Sequence, residues 1–471
     1  MKNLYNHTIK FMLVALLVTI LGSCKKSFLE ILPKGRIIAS KTTDYDLMLN
    51  NLDLINSSHD GQLYLGDEVA AIEPNWTGAA FRDKQLFKYE GDLYTADEDA
   101  KETLVPLKAL YIYNKIINEV PESIGGTEIT KNSVEAEARV GRAWTYFLLI
   151  NYFGKPYNPA TASTDPGFPL ITEADVTRTD FSRVSVQQIY DLILSDLNTA
   201  IPNLINTGVV WRGRICKATA KGLLAKVYMS MGKFAEALPL LNESISGVTG
   251  PGAAVTVSLY NYNTAFPGFP TAVNDFESLY TKNTNNALLS TASRVFWLTP
   301  EASALFDPAD LRLNATNYTS TTFPNGVKLL KRIGGSTTNL GVRLSDLYLM
   351  RAEVKARLDD LPGAVNDVVF LRQNRLPAGK QGVPTAIAGS KMPLIQFILE
   401  ERIREFAMQG HRWFDMRRLS VDPLFTNSAY QHKVYNTTGV VSETYALKPE
   451  RFVFRFSPKA MGENPSLVNN P

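Results

Sequence analysis

The feature that most restricts how this chain folds is the run Ala225, Tyr228, Gly232, Phe234, Ala237 and Leu241. It places a small residue and an aromatic on one helix, then a glycine turn, then alanine and leucine on a second helix. Two antiparallel helices approach closely only where small residues such as Ala225 and Ala237 face large ones such as Tyr228 and Leu241. The same spacing returns, more loosely, at Ala352, Lys355, Asp359, Leu361, Ala364 and Val368 around an Asp-Asp turn.

Both runs have the spacing of a tetratricopeptide unit, but they lie too far apart to be tandem repeats and read as helical pairs separated by a long insertion. Other helices follow from 3.6-residue periodicity and its stops. Leu107, Leu110, Tyr111, Asn114 and Ile117 recur before Pro121. Ser133 to Phe153 ends at Gly154 and Pro156, and Ile189 to Ala200 closes at Pro202. Helical pattern resumes over 342–375 and 391–419. The stretch to Asp99 reads as part helix and part loop, 248–325 as long loops with short helical pieces, and 420–471 as an irregular tail. The expected fold class is all-α, with tetratricopeptide-like helical pairs and long irregular loop-rich insertions.

Residues 1–23 stand apart. Lys2 and Lys10 precede an uncharged apolar run, Phe11 to Leu21, that ends at Leu21-Gly22-Ser23-Cys24. The run is shorter than the roughly 17 to 25 residues of a membrane-spanning helix, and it reads as a signal peptide. Small residues before Cys24 resemble a bacterial lipobox, which makes Cys24 the lipidated first residue of the mature chain. The expected organisation is therefore a signal peptide (1–23), a lipidated tether (24–41), an N-terminal region (42–220) and a C-terminal region (221–471), the last two forming one intimately packed unit.

The chain has 49 basic and 46 acidic residues and a net charge of +3, with no long Lys/Arg block, which argues against a nucleic-acid partner. With Cys24 spent on lipid, only Cys216 remains, an expected buried thiol in a helical pattern. Beyond the leader, histidine occurs only at 59, 411 and 432, without the i, i+4 spacing of a helical zinc site. Neither a P-loop nor a nucleophile elbow is present, so no cofactor, metal or enzyme activity is expected. Glu401 and Glu405 share a helix face as a glycosidase pair might require. The arginines at 402, 404, 412, 417 and 418 instead favour an ion-pair network. Asp307 and Asp310 fit a turn and a helix cap better than a calcium site.

Sugar binding asks for aromatic faces flanked by polar side chains. Trp76, Tyr260, Tyr262 and Trp297 lie in polar, loop-like settings, and Arg82 is near Trp76; these five are the candidate ligand-binding residues. Trp144 and Trp413 sit in helical patterns and are expected in the core.

Several segments resemble, in order, the SusD/RagB family of outer-membrane nutrient-binding lipoproteins of Bacteroidota. They are 142–147 with 151–154, then 307–312, 343–353 and the ending 463–471. The strongest is Glu401 to Arg418, similar to E-R-x-x-E-x-x-x-E-G-x-R-x-x-D-x-x-R, with Gln409 where glutamate is usual. The terminal segment has Asn469 where glutamine is usual. The resemblance implies four tetratricopeptide-like pairs and a non-catalytic protein. It implies a lipid-anchored, outward-facing position on the outer membrane, where such a protein captures oligosaccharide and passes it to a SusC-like TonB-dependent transporter. Two alternatives stay open: a peptide-binding member of the family, or a structural partner of the transporter that touches no ligand.

Overall fold

The computed structural model describes residues 39–204, 212–251, 257–264, 275–425 and 428–471. Cys24, with the leader and most of the tether, lies outside them, as does Trp211.

Nine principal helices carry the architecture among these residues: α1 Lys101–Glu119, α2 Glu128–Phe153, α3 Val186–Asn203, α4 Lys217–Ser230, α5 Phe234–Thr249, α6 Leu344–Arg357, α7 Leu361–Gln373, α8 Lys391–Glu405 and α9 His411–Ser420. Helices α1 and α2, α4 and α5, and α6 and α7 pack as pairs, with α3 on α2 and α8 on α6. The small residues lie in the seams as their spacing predicts: Ala225, Ala237, Ala352 and Ala364 are all fully buried. Cys216 is buried too, its Sγ 3.3 Å from Thr219 Oγ1.

The structure corrects the all-α expectation, because short strands fill regions that read as loops. A four-stranded sheet, β1 Val69–Ile72, β2 Phe296–Leu298, β3 Gln431–Tyr435 and β4 Val441–Ala446, runs in the order β4-β3-β1-β2. β1 pairs parallel with β3 and antiparallel with β2, in the register Ala71 to Val434 and Ala70 to Trp297. Two-stranded ribbons at 278–280 with 342–343, 283–285 with 337–339, and 318–322 with 328–332 replace most of the expected loop. The tail holds a hairpin and a short helix, Pro458–Glu463. The sheet has two apolar faces, as its alternation requires. Val69, Ala71 and Phe296 join the main core, while Ala70, Ile72, Trp297 and Tyr435 form a smaller cluster with Phe323 and Leu329.

The signature segment spans the end of α8 and most of α9. Gln409 Oε1 accepts from Arg343 at 3.1 Å. Asn469 bonds the backbone of Phe456 through both side-chain ends, at 2.8 and 3.1 Å. Both departures from the family pattern are thus fully used inside the fold.

Candidate functional site

The sequence-predicted site residues do not come together. Trp76 is 3% exposed and packs on Phe87 and Phe296 at 5.0 and 6.2 Å. Trp297 is 7% exposed, and its indole N–H donates to Arg294 O at 2.9 Å. Both therefore serve the two sides of the sheet, which corrects their placement in polar, loop-like settings. Trp76 has the exposed, polar neighbours Asn75 and Thr77, whereas Trp297 stands between the buried Phe296 and Leu298 of β2.

Tyr260 and Tyr262 are half-buried beside Arg375. The guanidinium lies 5.2 Å from the Tyr262 ring and donates to Tyr260 O at 2.6 Å. Burial pushes the Tyr262 hydroxyl up to about 12. Arg375 in turn joins an interior ion network: it binds Glu277 and Glu405, while Arg312 binds Asp310, Glu401 and Glu405. Arg372 and Arg404 complete the surroundings of Glu401. Burial alone would raise these carboxyls. Arg404, Arg312 and Arg372 around Glu401, and Arg375 and Arg312 around Glu405, instead hold both well below the usual carboxylate range. Carboxylates locked in this way have no free oxygen for a substrate, so the network reading stands over the glycosidase one. Asp310 caps the turn at Arg312 N, and Asp307 accepts from Ala309 N, as the turn reading expects.

Arg82 is engaged as well. Its nitrogens reach Tyr94 Oη at 3.0 Å, His59 Nδ1 at 3.1 Å, Asp60 at 2.9 Å and Glu102. Among the described residues His59, Asp60 and Glu102 have the proximity of metal ligands, but the guanidinium already supplies their cation. Burial opposes the charge on Glu102, yet Arg82 and His59 hold it down to about 2. Arg82 thus ties the start of α1 to the segment before β1.

The concave feature with a mixed lining is a cavity of about 330 Å³ at the end of the sheet, lined by Asp67, Glu68, Glu301, Glu400, Arg412 and Tyr430 among others. Its size is at the lower end of small-ligand sites, roughly 300 to 1,000 Å³. Arg412, from α9, grips both oxygens of Asp67 at 2.6 and 3.0 Å and lies 5.9 Å from the Tyr430 ring. Glu68 is 3% exposed and its Oε2 has no hydrogen-bond partner. It lies against Gly66, where an added Cβ would sit 1.9 Å from that oxygen. Burial, then the neighbouring Asp67, raises its carboxyl to about 8 against the pull of Arg412. Leu305, Leu399, Ile403, Leu419 and Phe425 supply apolar surface. Carboxylates, a guanidinium and a tyrosine around apolar walls match hydroxyls and C–H faces together. Sequence reading missed this site because its walls come from four distant segments.

Two family models match the chain. One, described as the SusD family, covers residues 306–471; the other, described as starch-binding associating with outer membrane, covers 64–229. A SusD-like protein of Bacteroides ovatus is 25% identical over 233 residues, 47% of this chain and 39% of that protein. SusD-like protein P38 of Formosa agariphila is 25% identical over 398 residues, 71% of this chain and 73% of the relative. In three dimensions a SusD superfamily protein from Bacteroides thetaiotaomicron matches with TM-score 0.70 at 20% identity, over 92% of this chain and 100% of that one. A SusD-like carbohydrate binding protein from Bacteroides vulgatus matches with TM-score 0.66 at 15% identity, over 91% and 98%.

Proposed function

Because the chain belongs to the SusD/RagB family, we propose that it is a non-catalytic binding protein of the outer membrane that captures an oligosaccharide and delivers it to a TonB-dependent transporter. The observation that carries the carbohydrate reading is the match of residues 64–229 to a model described as starch-binding and associated with the outer membrane. That stretch contributes Asp67 and Glu68 to the cavity, which we take as the site that holds one end of the glycan. Hydroxyls would donate to the carboxylates and accept from Arg412, while Tyr430 and Phe425 cover a sugar face.

Among the described residues no helix is long and apolar enough to cross a membrane. A lipid on Cys24 would supply the attachment. Replacing Cys24 by alanine should then move the protein from the membrane fraction to the soluble one.

Calorimetric titration of residues 25–471 with a panel of glycans and peptides tests the ligand class. Saturable heat with at least one glycan, weakened at least tenfold in Arg412→Met with the fold retained by circular dichroism, is the expected result. No heat with any glycan, alongside binding of a peptide, would replace the proposal with the peptide-binding reading.

A further inference from the structure

The turn between α1 and α2 presents apolar side chains that the core does not take up. Ile124 is 67% exposed, and Ile129, in the first turn of α2, is 81% exposed. A single exposed aliphatic residue is ordinary. Here two stand within six residues, in a stretch that is exposed throughout from Ile124 to Thr130 and that Gly125 and Gly126 turn through left-handed backbone, φ +78° and +72°. Such a tip is an apolar point offered to solvent.

The same turn fixes the place where the chain enters the fold. Ile124 N donates to Ser40 O at 2.8 Å, Thr42 N donates to Ile124 O at 3.1 Å, and the Thr42 hydroxyl donates to Gly125 O at 2.6 Å. Tyr45 Oη holds Ala39 O at 3.0 Å. Cys24 precedes Ala39 by 15 residues, which fully extended span at most about 50 Å. A globule of this length has a radius of gyration of about 22 Å, hence a diameter of about 60 Å. A lipid on Cys24 therefore reaches a bilayer from the face that carries Ile124 and Ile129, and falls short from the opposite one.

Resting on the Cys24 anchor reading, we propose that the Ile124–Ile129 turn is a second membrane contact, which inserts between phospholipid headgroups and holds the anchored protein in one orientation on the bilayer. Glu122 and Glu128 are balanced by Lys41 and Lys131, the last 4.0 Å from Glu128. The contact is therefore apolar, and salt leaves it unchanged.

The test uses the lipidated full chain on phosphatidylcholine vesicles, with an environment-sensitive fluorophore on one introduced thiol. Cys216 is buried and Cys24 acylated, so the label goes to Ile129→Cys or, elsewhere in the fold, to Val440→Cys on the β3–β4 turn, where Val440 is 56% exposed. The expected result is quenching by brominated lipid at least threefold stronger at position 129 than at 440, at low and high salt alike. Ile124→Asp should at least halve the quenching at 129; its side chain is outside the core, so the fold is retained, as circular dichroism would verify. Equal quenching at 129 and 440 would overturn the fixed orientation. Shielding that follows protein concentration instead of lipid would overturn insertion in favour of a contact between copies. A label at 129 that stays in water on vesicle-bound protein would overturn insertion, leave the Cys24 anchor standing and assign the turn to a protein partner. Unlabelled protein that does not float with the vesicles would overturn both.

Discussion

At the scale of single residues, the interior holds charges that burial alone would expel, and their partners decide the outcome. Arg312 is the clearest: three carboxylates depend on it, and its own charge survives burial because Glu401 and Asp310 surround it. Arg312→Met should cost about 3 to 5 kcal/mol, since removing one member leaves uncompensated buried charge. Urea unfolding measures this, and a loss below about 1 kcal/mol would show that the remaining arginines suffice. Lys282 is the opposite case. It is fully buried, its ammonium bonded to Leu54 O and Tyr113 Oη at 2.5 and 2.7 Å, with the Tyr280 ring 4.5 Å away, and burial lowers its pKa well below the usual value. The unfolded chain holds this proton up to about pH 10.4 while the folded chain does not, so the wild type gains stability as pH rises through that window. Lys282→Met removes the dependence. The two stabilities should draw together between pH 7 and 10 by up to about 1.4 kcal/mol per unit in the variant's disfavour; parallel curves would sink the argument.

At the scale of elements, the helical pairs were legible because everything that makes them is local. Period, prolines, and a small residue set against a large one all lie within a few turns. Even the turns agree: Gly232 and Asp359 occupy equivalent places and both adopt left-handed backbone, φ +73° and +66°. Glycine takes that conformation freely, while aspartate does so under strain. Asp359→Gly should therefore stabilise by up to about 1 kcal/mol, and Asp359→Ala should destabilise. Thermal melting gives the rank order, and an alanine variant as stable as the glycine one would remove the turn explanation. The strands were not legible for the converse reason. Val69-Ala70-Ala71-Ile72 is only four residues long, and it becomes a central strand through Phe296 and Val434, far along the chain. Trp76 and Trp297 misled for the same cause, since partners distant in sequence bury both rings. The cavity has no local signature at all, although one of its members, Arg412, stands inside the signature segment.

At the scale of the whole molecule, the divide at residue 220 marks a change in pattern, while the main core crosses it. β1 is sandwiched between β2 and β3, Asp67 is held by Arg412, and the Lys282 ammonium reaches back to Leu54. The Tyr152 ring stacks on Phe454 at 5.1 Å, and Asn470 near the last residue donates to Phe153 O at 2.8 Å. The main core draws on both halves, so residues 39–220 and 221–471 expressed separately should each lack a cooperative melt, and a sharp transition in either would refute the single-unit reading. The cavity lies on this divide, with Asp67 and Glu68 from one side and its other walls from the other. A ligand there binds only the assembled chain, and at a hundred times its dissociation constant it should add about 2.7 kcal/mol to the stability of the whole. The intact protein should then melt in one transition that moves upward as a unit. A shift confined to part of a split transition would mean that the ligand sits on one half alone, away from the cavity.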